Sequence, residues 1–92
     1  LIKTFSHKGL EIFFYRGTKK GIQPKHAEKL GLILDRLDAA HDVKDMNYPG
    51  SGFHPLMGEY QGYHAVKVSG NWRVIFKFEG GNAYDVDYLD YH

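Results

Sequence analysis

The sequence predicts an α+β fold, a helical hairpin packed on one face of a mainly antiparallel sheet, in the order β-α-α-β-β-β(β). Three observations carry this. Apolar residues recur at helical spacing in the first half, and beyond Gly52 the pattern changes to period two. Between the alternating runs stand short glycine-bearing turns, Gly70-Asn71 and Gly80-Gly81-Asn82, which read as hairpins. The chain of 92 residues suits one domain with one modest core, spanning 1–92.

Ile2-Lys3-Thr4-Phe5 alternates and reads as a short first strand. Ser6 is placed to cap a helix from His7 to about Arg16, with Gly17 at its left-handed stop. Leu10, Phe13 and Phe14 share the inward face of that helix. After a basic turn, Thr18 to Gly21, Pro24 opens a second helix reaching about His41. Ala27, Leu30, Ile33, Leu34, Leu37 and Ala40 form its single apolar stripe, with Gly31 near the opposite side. Lys25, Lys29 and Arg36 fall on one flank, and Glu28, Asp35 and Asp38 on the other. His26 and His41 border the stripe as packing histidines rather than ligands.

Asp45 to Gly52 reads as a loop. Phe53 to Leu56 is a short strand that Pro55 confines to an edge. Gly58 to Gly62 turns the chain into strands at Tyr63–Ser69, Trp72–Phe78 and Ala83–Leu89. Alternation puts Trp72, Val74, Phe76 and Phe78 on one face and Arg73, Ile75 and Lys77 on the other. In the last strand Tyr84, Val86 and Tyr88 alternate with Asp85, Asp87 and Leu89. One sheet face is therefore apolar and takes the helices. The other carries charge, where Lys67, Lys77, Asp85 and Asp87 can pair across strands.

Composition bounds the function. With no cysteine, neither disulfides nor thiolate metal sites enter, and a reducing compartment is compatible. No apolar run approaches a membrane span and no signal peptide is evident. The formal net charge is +1, but it is unevenly spread. Lys3, Lys8, Arg16, Lys19, Lys20, Lys25 and Lys29 outnumber Glu11 and Glu28 over positions 1–29, a balance of +5, and positions 30–92 carry −4. Such asymmetry suits a basic face toward a polyanion, or equally a solvated surface with no partner.

The residues that could do chemistry cluster late. Phosphate-cradling glycine loops, nucleophile elbows and metalloprotease motifs are lacking, and the six histidines have no metal-ligand spacing. A site without metal or cofactor fits better. His54 and His92 could divide base and acid roles near neutral pH. Arg73 could stabilise the charge of a five-coordinate phosphorane. Tyr91 offers a ring on which a base can stack, and Asp90 can orient a histidine or take a proton. This is the inventory for RNA cleavage by a ribose 2′-hydroxyl. With His92 the last residue of the sequence, an adjacent α-carboxylate would favour its imidazolium, tilting His92 toward acid and His54 toward base.

Several motifs go together here: Ile2-Lys3-Thr4-Phe5, His7-Lys8-Gly9-Leu10, His54-Pro55-Leu56 with Gly58, Gly62-Tyr63, Asn71-Trp72-Arg73 with Phe76, and Asp90-Tyr91-His92. On them the sequence resembles, over essentially its whole length, the HigB toxins of bacterial toxin–antitoxin modules in the RelE/ParE superfamily. The resemblance implies a RelE/ParE-like fold and a ribosome-dependent endoribonuclease that cuts mRNA in the aminoacyl site. It implies catalytic roles for His54, Arg73, Asp90, Tyr91 and His92, with no metal or cofactor. It further implies a HigA-type helix-turn-helix antitoxin as partner and operator DNA met only through that antitoxin. The 70S ribosome, with its 16S rRNA, and mRNA would face Lys3 to Lys29 and Arg36, in the cytoplasm and away from membranes.

One departure stands out. Where a HigB toxin can carry a lysine just after His-Pro-Leu, this chain has Met57, so Arg73 or a lysine such as Lys67 would bear more of the phosphate's charge. Two other readings stay open: a ParE-like inhibitor of DNA gyrase that cuts no RNA, and an inactive antitoxin-binding homologue.

Overall fold

The computed structural model describes residues 1–91. Helix α1 runs Lys8–Arg16 and α2 runs Ala27–Ala39. The sheet follows as β1 (His54–Pro55), β2 (His64–Ser69), β3 (Trp72–Glu79) and β4 (Asn82–Asp90). These strands lie in sequence order, every neighbouring pair antiparallel. The two helices cover one face, as the period change predicts.

Helix α1 is capped one residue later than expected. His7, not Ser6, is the N-cap, its Nδ1 accepting the Leu10 N–H at 2.9 Å. An imidazole nitrogen can replace the usual hydroxyl or carboxylate oxygen because the cap needs only an acceptor lone pair. Gly17 ends the helix at φ 75°, and its N–H donates to the Phe13 carbonyl. Pro24 opens a 3₁₀ turn (Pro24–His26) before the α-helix proper, which stops at Ala39 rather than His41. The predicted stripe from Ala27 to Ala40 is buried throughout. His26 is buried as a packing residue, whereas His41 lies beyond the helix and is exposed.

The loop from Asp42 is more ordered than its composition suggests. Asp42 and Asp45 form a capping box over a 3₁₀ turn, Val43–Met46, that buries Met46. The Asp45 carboxyl is held below its usual range because the backbone N–H groups of His41 and Asp42 donate to it.

The N-terminal segment forms no regular strand. Two isolated parallel bridges, Ile2 to Ala83 and Phe5 to Val86, fasten it along the free edge of β4. The reason lies in β4. Ile75 pairs with Asp87 but Lys77 pairs with Tyr84, so Asp85 and Val86 together face Phe76 in a β-bulge. Asp85 adopts φ 52°, a left-handed conformation that aspartate tolerates better than most residues. The bulged Asp85 N–H finds its acceptor in Thr4 Oγ1 at 2.8 Å. Asp38 of α2 accepts the Ile2 N–H at 2.9 Å, tying helix, edge segment and sheet together.

The bulge corrects one face assignment. Tyr84 stands opposite Lys77, on the face away from the helices, while Ala83, Val86 and Tyr88 enter the main core. Nor is the outer face simply charged. Leu56, Ala65 and Ile75 are buried there in a second cluster flanked by Tyr60, Tyr63, Leu89 and Tyr91. The expected cross-strand pairing on this face is seen between Lys77 and Asp85 at 3.5 Å, both partly exposed. In that setting the pair contributes a few tenths of a kcal/mol to about 1 kcal/mol.

Candidate functional site

β1 is an edge strand because Pro55 has no N–H to give a further strand. Its two residues pair with Ala65 and His64. Residues directly opposite in an antiparallel ladder point to the same side. Through Ala65 and Ile75, His54 therefore shares a face with Arg73, and through the Arg73–Leu89 pair that face extends to Leu89 and Tyr91. Lys67 stands directly opposite Arg73. With strands ~4.8 Å apart and ~3.4 Å per residue, the Cα atoms of His54 and Arg73 are separated by about 12 Å. That gap suits two long side chains reaching one group between them rather than each other.

His54 is exposed, and its Nδ1 lies 2.7 Å from the Gly52 carbonyl oxygen. A carbonyl only accepts, so Nδ1 carries the proton and Nε2 of the neutral ring keeps its lone pair. The Arg73 guanidinium is steered by its own hairpin, Nη1 donating to the Gly70 carbonyl at 2.7 Å and to the Trp72 carbonyl at 3.0 Å. Its planar fork can still aim the remaining N–H groups at an oxyanion. The Tyr91 ring packs edge-on to Tyr60 at 5.9 Å, and its backbone N–H donates to the Asn71 carbonyl. Tyr60, which no sequence motif singled out, and Tyr63 thus wall the face beside Tyr91.

Asp90 and Tyr91 lie on opposite sides of the sheet. Asp90 pairs with Trp72 and lines a groove with Tyr88, on the helix side of the sheet. Of the two described residues, Tyr91 joins Arg73 on the outer face and Asp90 does not. His92 lies outside the described residues, as does the argument about its carboxylate. Met57, in place of the expected lysine, is 82% exposed three residues beyond His54.

The basic residues are dispersed over exposed surface. Lys3, Lys8, Arg16, Lys19, Lys20, Lys25, Lys29 and Arg36 are all exposed. Lys8 lies 3.6 Å from Glu11, and the Arg36 guanidinium sits 4.5 Å from the Tyr48 ring centroid. Burial pushes the Tyr48 phenol up, with Arg36 opposing. Among the described residues no group of three or more His, Cys, Asp or Glu could hold a metal ion. Among the described residues no helix is long and apolar enough to cross a membrane.

Set beside known proteins, residues 3–92 match the family described as the RelE-like toxin of type II toxin–antitoxin system HigB. The chain is 36% identical over 92 residues to Endoribonuclease HigB of Proteus vulgaris, covering all of both chains. It is 33% identical over 90 residues to Toxin HigB-1 of Vibrio cholerae, covering 96% of this chain and 94% of that one. Its fold is similar to a chain of the YoeB–YefM complex from Staphylococcus aureus, with a TM-score of 0.59, 14% identity, and 97% and 98% of the two chains covered.

Proposed function

The chain belongs to the RelE-like HigB toxin family of type II toxin–antitoxin systems, and on that footing we propose that it is a ribosome-dependent endoribonuclease cutting mRNA in the aminoacyl site. The observation that carries the reading is the shared outer face of His54, Arg73 and Tyr91, with Lys67 beside them.

The reaction needs no metal in this reading. His54 Nε2 takes the proton of a ribose 2′-hydroxyl as its oxygen bonds to the adjacent phosphorus. Arg73 stabilises the extra negative charge of the phosphorane, helped by Lys67 where Met57 supplies no cation. Tyr91 stacks a base and orients the strand. The P–O5′ bond then breaks, and the departing oxygen takes a proton from an acid, the role assigned to His92. Asp90 acts from the far side of β4, through the strand end it shares with Tyr91. A HigA-type helix-turn-helix antitoxin neutralises the toxin, which meets operator DNA only within that complex. The single domain of residues 1–92 works in the cytoplasm, where ribosomes and mRNA are found.

The test is primer-extension mapping of mRNA ends on programmed ribosomes with wild type, His54→Ala and Arg73→Ala. Codon-phased cuts that fall by at least a hundredfold in both variants bear the reading out. Gyrase-dependent DNA breaks without RNA cuts would replace it with the ParE-like reading. Antitoxin binding with neither activity would mark an inactive homologue.

A further inference from the structure

On the helix side of the sheet, opposite the proposed catalytic face, an open groove is lined by His7, Lys20, Gln23, Trp72, Tyr88 and Asp90. Its floor is aromatic. Tyr88 is buried between Trp72, 4.8 Å away, and His7, 5.5 Å away, measured between ring centroids. Trp72 also leans on the buried His26 at 5.6 Å and remains partly exposed. The rim is polar, with the exposed Lys20 on one side and Asp90 on the other.

The groove is held open by the backbone. Gly9 of α1 and Gly21 of the loop touch so closely that a Cβ on Gly21 would lie 2.4 Å from the Gly9 Cα. This contact seats the loop that carries Lys20 and Gln23 against α1 before any ligand arrives, which removes part of the ordering cost of binding.

We propose that this groove is a second RNA subsite, which stacks one nucleobase of the bound strand on the Trp72 indole and holds the adjoining phosphate at Lys20. The proposal rests on the ribonuclease reading and extends it. An aromatic platform beside a cation is the combination that single-stranded nucleic acid uses. Lys20 belongs to the basic half of the chain, with Lys19 and Lys25 close in sequence. Trp72 and Arg73 are consecutive on β3, and Asp90 and Tyr91 consecutive at the end of β4. A strand passing over this end of the sheet meets Arg73 and Tyr91 on one side and Trp72 and Lys20 on the other.

Trp72 is the chain's single tryptophan, so its fluorescence reports the groove alone. The full-length protein, without ribosomes, is titrated with a 2′-O-methyl tetranucleotide that cannot be cleaved, and with an abasic strand of equal phosphate number. Saturable quenching by the first and none by the second is expected. Lys20→Glu should weaken binding about tenfold and lower the salt slope by about 0.7, the share of one single-strand phosphate. His54→Ala should leave the quench intact. Trp72→Phe, followed by anisotropy of a labelled strand, should bind within about threefold of wild type, whereas Trp72→Leu should lose about tenfold. No saturable quench, equal quenching by the abasic strand, or quenching elicited only by an antitoxin would overturn the proposal. Cleavage on ribosomes without any Trp72 response would sink the subsite alone. A Trp72 response without cleavage would sink the nuclease reading alone.

Discussion

Replacing Gly21 by alanine adds one methyl group, and its effect follows from what that methyl would meet. The new Cβ would lie 2.4 Å from Gly9 Cα, and the reciprocal Cβ on Gly9 would lie 2.5 Å from the Gly21 carbonyl oxygen. Both obstacles are backbone, so no side chain can swing aside. Either the loop lifts or α1 shifts, a form of overpacking that costs about 1–3 kcal/mol. The same change at Gly31, inside α2, meets nothing within 4 Å and removes a poor helix former, a gain of up to about 1 kcal/mol. At about 4–8 °C per kcal/mol for a domain of this size, Gly21→Ala should lower Tm by about 8–16 °C for a 2 kcal/mol loss. Gly31→Ala should raise it by about 2–8 °C. Thermal unfolding by circular dichroism, with urea midpoints, measures both. A Gly9→Ala/Gly21→Ala double variant should lose less than the sum of its singles, because once the backbones part the second methyl has room. Shifts of the same sign at Gly21 and Gly31, or strict additivity of the Gly9 and Gly21 changes, would refute the reasoning.

Three further expectations follow from the core and surface. Burial, and Lys25 beside it, hold the His26 imidazole below its ordinary value near 6.5, and burial does the same to His64. The unfolded chain therefore binds protons first as pH falls, so stability should be full above about pH 6.5 and decline below it, with the decline shallower in His64→Gln. Tyr88→Phe removes the hydroxyl that pairs with His26 Nδ1 at 2.5 Å and leaves both nitrogens of a buried ring unpartnered, since Nε2 already has none. A loss of about 1–3 kcal/mol in urea unfolding is expected. Lys25→Glu with Lys29→Glu should weaken ribosome association in pelleting assays and flatten its salt dependence, and unchanged binding would mark that flank of α2 as merely solvated.

What the sequence disclosed and what it withheld divide along physical lines. The stripe from Ala27 to Ala40 and the Gly17 stop were legible because helical periodicity and left-handed φ are local properties. Pro55 announced an edge for the same reason, through its missing N–H. The Gly9–Gly21 contact was not legible, since the two glycines lie twelve positions apart and share no periodic signal. The His7 cap escaped because Ser6 is the stronger intrinsic capper, and tertiary context, through the His7–Tyr88 ring contact, overrode it. Of the candidate site, the placing of Arg73 on the face away from the helices could be read from alternation, whereas Tyr91 reaches that face only through the bulge at Asp85, which has no local signature. Treating Asp90-Tyr91-His92 as one unit hid the fact that neighbours in a strand point to opposite sides.

The bulge at Asp85 bears on that end of the molecule in another way. In a regular ladder counted from the Gly80-Gly81 turn, with no bulge to absorb one residue, Tyr88 would fall opposite Arg73 and Leu89 opposite Trp72. Asp90 would then look out over the proposed catalytic face, and Tyr91 would look toward the helices. A single bulge, five positions before Asp90, inverts the parity of the described strand residues that follow it. It is a phase shifter for the C-terminal end, and Thr4 is the residue that holds the phase by accepting the Asp85 amide. The side to which Asp90 and Tyr91 face is thus set partly by the first residues of the chain.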